Sequence, residues 1–159
     1  MRKIFTLLLF SVMAVFVVMA QNEQPIKWRM TVKMTSKNEG TVTLRAIIEN
    51  GWHLYGTELP DDGPIATSFN FEKSKGISFV QHEFTPSCQP ETHKDPNFGI
   101  DLQWWPVNVT FTRNFVITGD LSDALIDGSV RFMGCNDQTC LPPSSVNFKT
   151  TPKPYNPEK

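Results

Sequence analysis

The chain has 159 residues, with 15 Lys plus Arg against 16 Asp plus Glu and a formal charge of −1. That balance argues against nucleic acid or an anionic membrane surface as the main partner. Three cysteines behind an apolar leader suggest an exported chain in which two thiols pair and one is left over.

Arg2 and Lys3 precede an almost unbroken apolar run from Ile4 to Val18, and Val18-Met19-Ala20 offers tolerated residues where a signal peptidase reads. The expectation is a secretory signal peptide over residues 1–20, removed after Ala20. The alternative is an uncleaved anchor, but a run of about 17 apolar residues is short of the roughly 20 that a span prefers. No cysteine stands at the start of the mature chain, where Gln21 follows Ala20, which argues against a lipoprotein anchor. Cleavage would remove two basic residues and no acidic one, leaving a mildly acidic chain of one-domain size without a second spanning run, and therefore soluble.

From Lys27 the pattern alternates strictly, with Trp28, Met30, Val32 and Met34 apolar between polar neighbours. A period of two predicts a strand with one buried face. Ser36 to Gly40 reads as a turn, and Thr41 to Glu49 alternates again through Val42, Leu44, Ala46 and Ile48, so the two runs form a hairpin. Asn50-Gly51 punctuates the chain before Trp52-His53-Leu54-Tyr55. Strands are expected over Ala66 to Glu72, with Phe69 and Phe71 on one face, and over Ile77 to Phe84. Thr85 to Gly99 turns polar and irregular and reads as a long loop, of the kind that is commonly functional.

Strand character returns over Asp101 to Trp105, where Trp104 and Trp105 point to opposite faces: one to the core, the other available as a partner surface. Val107, Val109 and Phe111 continue it through Ile117, and the glycosylation triplet at Asn108 falls inside this predicted strand. A short helical turn is expected between Gly119 and Asp127. Gly128 to Met133 and Ser145 to Lys149 then flank a cysteine tip, with Val130 and Phe132 matched by Val146 and Phe148. Eight or nine short strands and no long helical period predict an all-β antiparallel sandwich over residues 21–150, with a loose Pro-rich tail at 151–159.

The tip, Gly134-Cys135-Asn136-Asp137-Gln138-Thr139-Cys140-Leu141-Pro142-Pro143, places two cysteines around four polar turn formers. Asn and Asp bond their own backbone in tight turns, so Cys135 and Cys140 can face each other within the roughly 4.4–6.8 Å Cα separation of a bridge. Cys88 is then the orphan. Thioredoxin-type sites set C-x-x-C at a helix N-terminus; here the spacing is longer, the context is strand, and Asp137 opposes thiolate formation. The pair is therefore a poor nucleophile and a better electrophile for another thiolate. Closing so short a loop stabilises a fold by roughly 2 kcal/mol, against about 4 for a loop of some 50 residues, so the bridge can open without unfolding the domain. The alternative is an exported binding or assembly module in which the bridge is a passive staple. Cys88 with His93, His53 or His82 matches no metal-ligand spacing, and these read as ordinary loop and surface residues.

The run Val130 to Pro143 resembles the active-site segment of the N-terminal periplasmic domain of the thiol:disulfide interchange reductase DsbD: an aromatic strand, a cysteine, a polar turn with Asp, a second cysteine and a Pro-Pro exit. Gly51 to Tyr55, Gly63-Pro64 with Ala66-Thr67, and Asp95 to Gly99 are similar to the same family. The resemblance implies an immunoglobulin-like sandwich in the periplasm. It implies electron transfer from a thioredoxin-like protein to oxidised partners, with Cys140 forming the mixed disulfide, Cys135 resolving it, and no cofactor. Asp95 to Gly99 would be a cap loop with Phe98 as its covering aromatic, Tyr55 an aromatic beside the site, and His53 would stand where the family often has another aromatic. The cysteine turn is one residue shorter than in the best-known members. The chain ends at Lys159 without a membrane-spanning or thioredoxin-like part, so a separate membrane electron donor is expected.

Overall fold

The computed structural model describes residues 24–157. The expected signal peptide and its cleavage site therefore lie outside the described residues. Strands β1 (Ile26–Met34) and β2 (Glu39–Ile48) form the hairpin that the alternation predicts, with Trp28 facing Ala46 and Met30 facing Leu44 across the pair. Val42, Leu44 and Ala46 are fully buried while the residues between them reach the surface. Strand β9 (Val109–Ile117) runs antiparallel to β2, and the short strands β5 (Ile77–Phe79) and β6 (Thr85–Pro86) pair with its other edge. This is the first sheet.

A second sheet has the order β12 (Ser144–Thr150), β10 (Ile126–Phe132), β4 (Ser68–Asn70). A third has the order β11 (Gly134–Cys135), β3 (His53–Tyr55), β8 (Asp101–Trp105), β7 (Glu91–Lys94). All pairings are antiparallel, and among the described residues a single 3-10 turn, Leu121–Asp123, is the only helical element. The first sheet packs its aromatic side onto the other two. Trp28 meets Phe69 and Phe132 of the second sheet and its own neighbour Phe111, while Trp105 of the third sheet sits edge-on to Phe111 at 5.1 Å. Phe111 and Phe115 are wholly buried, each contributing about 2–3 kcal/mol by removal from water.

Several expectations need correction. The stretch read as an irregular loop contains β6 and β7. All four residues of β7 are exposed, so this edge strand has no apolar alternation to betray it and is held by backbone pairing to β8. Val130, Phe132, Val146 and Phe148 all face the core as expected, in a register that sets Val130 against Val146, Phe132 against Ser144 and Phe148 against Gly128. The strands expected over Ala66–Glu72 and Ile77–Phe84 pair over three residues each. Asn108 precedes β9 and uses its side chain to accept the Ile48 N–H at 2.8 Å. Pro152 is buried, so the expected tail is still packed where it begins.

Candidate active site

The alternation of the third sheet divides its side chains between two environments. Leu54 and Trp105, paired across β3 and β8, point into the sandwich core. Tyr55 and Trp104, the next pair, point to the opposite face and join Leu102 and Cys135 in a second buried cluster. The same period places Cys135 on that outer face opposite His53, while Gly134 lies opposite Leu54. A side chain at position 134 would fall onto the Ile26 Cδ1 methyl of β1, which gives the glycine before the first cysteine a packing reason. Of the two tryptophans, one expected in the core and the other as a partner surface, Trp105 is in the core, and Trp104, only 9% exposed, is instead a wall of this site. Its ring is stacked between His53 at 4.2 Å and His93 at 4.9 Å, from the strands on either side.

The cysteine turn folds as its composition predicts. Asn136 Oδ1 accepts the N–H groups of Gln138 and Thr139, and the Asn136 N–H donates to the Thr139 carbonyl. Outside the pair, Leu141 N–H donates to the Gly134 carbonyl at 3.0 Å. Cys135 and Cys140 are thus a facing pair between two hydrogen-bonded rungs, and they are joined by a disulfide. Their Cα atoms are 4.1 Å apart, closer than the expected range, as befits a non-hydrogen-bonded antiparallel pair at about 4.5 Å. Cys135 is fully buried and Cys140 is partly exposed. Asp137 is at the exposed crest of the turn.

Asp95 is the hub of the neighbouring loop and has no exposure to solvent. Its Oδ1 accepts the N–H groups of Asn97 and Phe98, and its carbonyl accepts Gly99 N–H. Gly99 takes φ of +72°, a left-handed conformation suited to glycine, and the loop then returns into β8. The second carboxylate oxygen, Oδ2, accepts the Tyr55 hydroxyl at 2.6 Å. That same hydroxyl lies 4.0 Å from Cys140 Sγ. Phe98 sets its ring edge-on to Tyr55 at 6.2 Å and is 36% exposed. Asn97 Nδ2 donates to the Asn136 carbonyl at 3.0 Å, tying this loop directly to the cysteine turn.

Burial and the bond to Asp95 push the Tyr55 hydroxyl far above its ordinary titration range, so it remains a proton donor. Burial also pulls His53 below its ordinary value, against the opposing pull of Asp95 and Asp137. His53 Nε2 is buried without a hydrogen-bond partner, 3.9 Å from Asp95 Oδ2.

Cys135, Cys140, Tyr55, Asp95 and Phe98 are therefore gathered around one point by three separate segments: the cysteine turn, β3 and the loop after β7. Cys88 is exposed and free, and its carbonyl accepts the Trp105 indole N–H. No group of three potential metal ligands occurs among the described residues. Asn97 and the wall formed by Trp104 escaped sequence reading. Asn97 had no signal beyond a polar loop, and Trp104 only its place in an alternating strand.

The sequence model for the family described as thiol:disulfide interchange protein DsbD, N-terminal, matches residues 20–152. The chain belongs to this DsbD N-terminal family. Its fold is accordingly the immunoglobulin-like β-sandwich. The N-terminal periplasmic domain of ScsB from Proteus mirabilis superimposes with a TM-score of 0.58 at 17% identity, over 82% of this chain and 48% of that one, a likeness of fold. A search of curated proteins returns no match. The DsbD family context and the closed Cys135–Cys140 bridge together support thiol–disulfide interchange as the chemistry of this face. No helix among the described residues is long and apolar enough to cross a membrane.

Proposed function

We propose that this chain is a periplasmic thiol–disulfide exchange module, exported by a signal peptide cleaved near Ala20, that passes electrons from a thioredoxin-like donor to oxidised partner proteins. The observation that carries this reading is the asymmetry of the bridge: Cys140 is partly exposed beside the Tyr55 hydroxyl, and Cys135 is fully buried behind it. A donor thiolate attacks Cys140 Sγ, the bond between Cys140 and Cys135 breaks, and its electron pair leaves on Cys135 Sγ. A second donor thiolate then attacks the donor's own sulfur in the mixed disulfide, releasing Cys140; the donor is oxidised and the module reduced by two electrons. Delivery to an oxidised partner runs these steps in reverse, with Cys140 attacking and Cys135 resolving. The loop from Asp95 to Gly99, held to the turn through Asn97, acts as a cap over the pair, and Phe98 is its aromatic shield. The reaction needs no cofactor, and a membrane protein upstream supplies the electrons through the donor.

The deciding measurement is the reduction potential of the pair, read by equilibration in graded thiol buffers and mass counting of alkylated cysteines. A value between roughly −180 and −270 mV is expected for an exchange-active pair. A value below about −300 mV is that of a structural bridge and would leave the chain as a binding module.

A further inference from the structure

Opening the bridge raises a problem that the cysteines alone do not solve. The leaving sulfur, Cys135, is fully buried, so the thiolate left on it has no water to stabilise it. The Tyr55 hydroxyl, 4.0 Å from Cys140 Sγ, is committed to Asp95 at 2.6 Å, and the Asp95 carboxylate adds a like charge to the site. His53 is the basic side chain buried on this face, and it is the cross-strand partner of Cys135. Side chains so paired stand about 5 Å apart at Cβ.

We propose that His53 holds the proton that exchange requires, a positioning residue whose imidazolium faces the thiolate on Cys135 while its Nε2–H turns to Asp95. This rests on the exchange reading given above. Two features of the geometry carry it. Nε2 is buried with no partner, and the Asp95 Oδ2 acceptor stands 3.9 Å away, too far for a hydrogen bond with the bridge closed but within reach after a small shift. The ring is also fixed, stacked on Trp104 and edge-on to Tyr55 at 5.1 Å. The groups facing His53 are Asp95 from the cap loop, Asp137 from the turn, Cys135 from β11, Tyr55 from its own strand, and His93 from β7, itself bonded to Glu91. The two carboxylates favour the imidazolium, whereas burial and His93 oppose it, and burial is the larger effect. With the bridge closed, burial holds His53 toward its neutral form. A thiolate on Cys135 adds one more negative charge and tips the balance.

The attacking thiolate forms a bond to Cys140 Sγ, the disulfide electron pair moves to Cys135 Sγ, and one proton from solvent water is taken up at His53 Nε2. When the pair ends as two thiols, the imidazolium gives one ring proton to Cys135 and returns to neutral, and Cys140 takes its proton from solvent. Where His53 is already protonated, at lower pH, the leaving thiolate is stabilised from the outset.

The test is the rate at which 2-mercaptoethanol opens Cys135–Cys140 in the purified protein from pH 8 to pH 5, divided at each pH by the concentration of its thiolate. The corrected rate should rise about tenfold as pH falls. Its midpoint should coincide with the His53 ring titration followed by long-range proton–nitrogen NMR. His53→Phe and His53→Tyr, which keep a ring against Trp104, should each flatten the rise. A flat wild-type profile, a midpoint away from the His53 titration, or an unchanged rise in a folded variant overturns the role of His53 while leaving exchange intact. If neither variant folds, the wild-type profile and the NMR midpoint decide. Failure of the wild-type bridge to open at any pH overturns the exchange reading itself, and this inference with it.

Discussion

Asp95 Oδ2 accepts the Tyr55 hydroxyl at 2.6 Å in a position where neither residue has any exposure to solvent. One buried carboxylate thereby joins the sheet beneath the cysteines to the loop above them, since its other oxygen accepts the Asn97 and Phe98 N–H groups. Asp95→Ala removes three acceptor contacts and leaves the Tyr55 hydroxyl unpaired, so a loss of about 2–4 kcal/mol in urea unfolding is expected. Tyr55→Phe should cost about 1–3 kcal/mol, because it strands a carboxylate oxygen in the interior. Both variants should also speed reduction of the bridge by small thiols, as the cap loses its anchor.

The burial asymmetry of the cysteines makes an ordered prediction. Incubated with a thioredoxin-like donor, Cys135→Ser should accumulate a mixed disulfide through Cys140, and Cys140→Ser should trap little or none. Non-reducing electrophoresis with mass identification of the linked cysteine reads the result. Equal trapping by the two variants would contradict the assigned order.

The hydrogen bond from Asn97 to the Asn136 carbonyl is exposed and single, so its loss should be felt in the cap rather than in the fold. Asn97→Ala should cost no more than about 1 kcal/mol of stability. It should nonetheless raise the rate of bridge opening by a bulky thiol about two- to fivefold, the equivalent of a bond of that strength. Stopped-flow reduction beside an unfolding curve separates the two effects.

A core glycine supplies the converse case. A side chain at Gly128 would run into the Phe71 ring and the Asn70 carbonyl, where β10 lies against β4. Gly128→Ala should therefore destabilise the domain by about 1–3 kcal/mol through overpacking. The potential of the cysteine pair should stay where it was, since none of the residues around the bridge is touched.

Stability should depend on pH through His53. Its folded-state value is lowered from the ordinary 6.5 by burial, so below that value the unfolded chain binds the proton more readily than the folded one. Stability from this group is full above pH 6.5 and is lost as pH falls through 6.5 toward the folded value. Melting temperatures of the oxidised protein from pH 7.5 to pH 5 should fall more steeply in the wild type than in His53→Phe. Parallel curves would show that His53 titrates alike in the folded and unfolded states.

Residue order alone determined the features that depend on near neighbours. The alternation of β1 and β2 is a property of successive side chains on opposite faces, and it appears directly in Trp28, Val42, Leu44 and Ala46. The cysteine turn is equally local, because Asn136 closes it with its own side chain onto N–H groups two and three residues on. Strand β7 was invisible for the opposite reason: an exposed edge strand is made by backbone bonds to β8, and those leave no mark on which side chains are apolar. Only the tertiary structure decided that His53, Tyr55, Trp104, Asp95 and Cys135 share one face. That depends on the register in which β11, β3, β8 and β7 pair, since a shift of one residue would send a strand's side chains into the opposite layer, and on the loop after β7 that carries Asp95. The unpartnered His53 nitrogen beside Asp95 follows from that register, since the two residues are far apart in sequence and meet only when the sheet and its loop are in place.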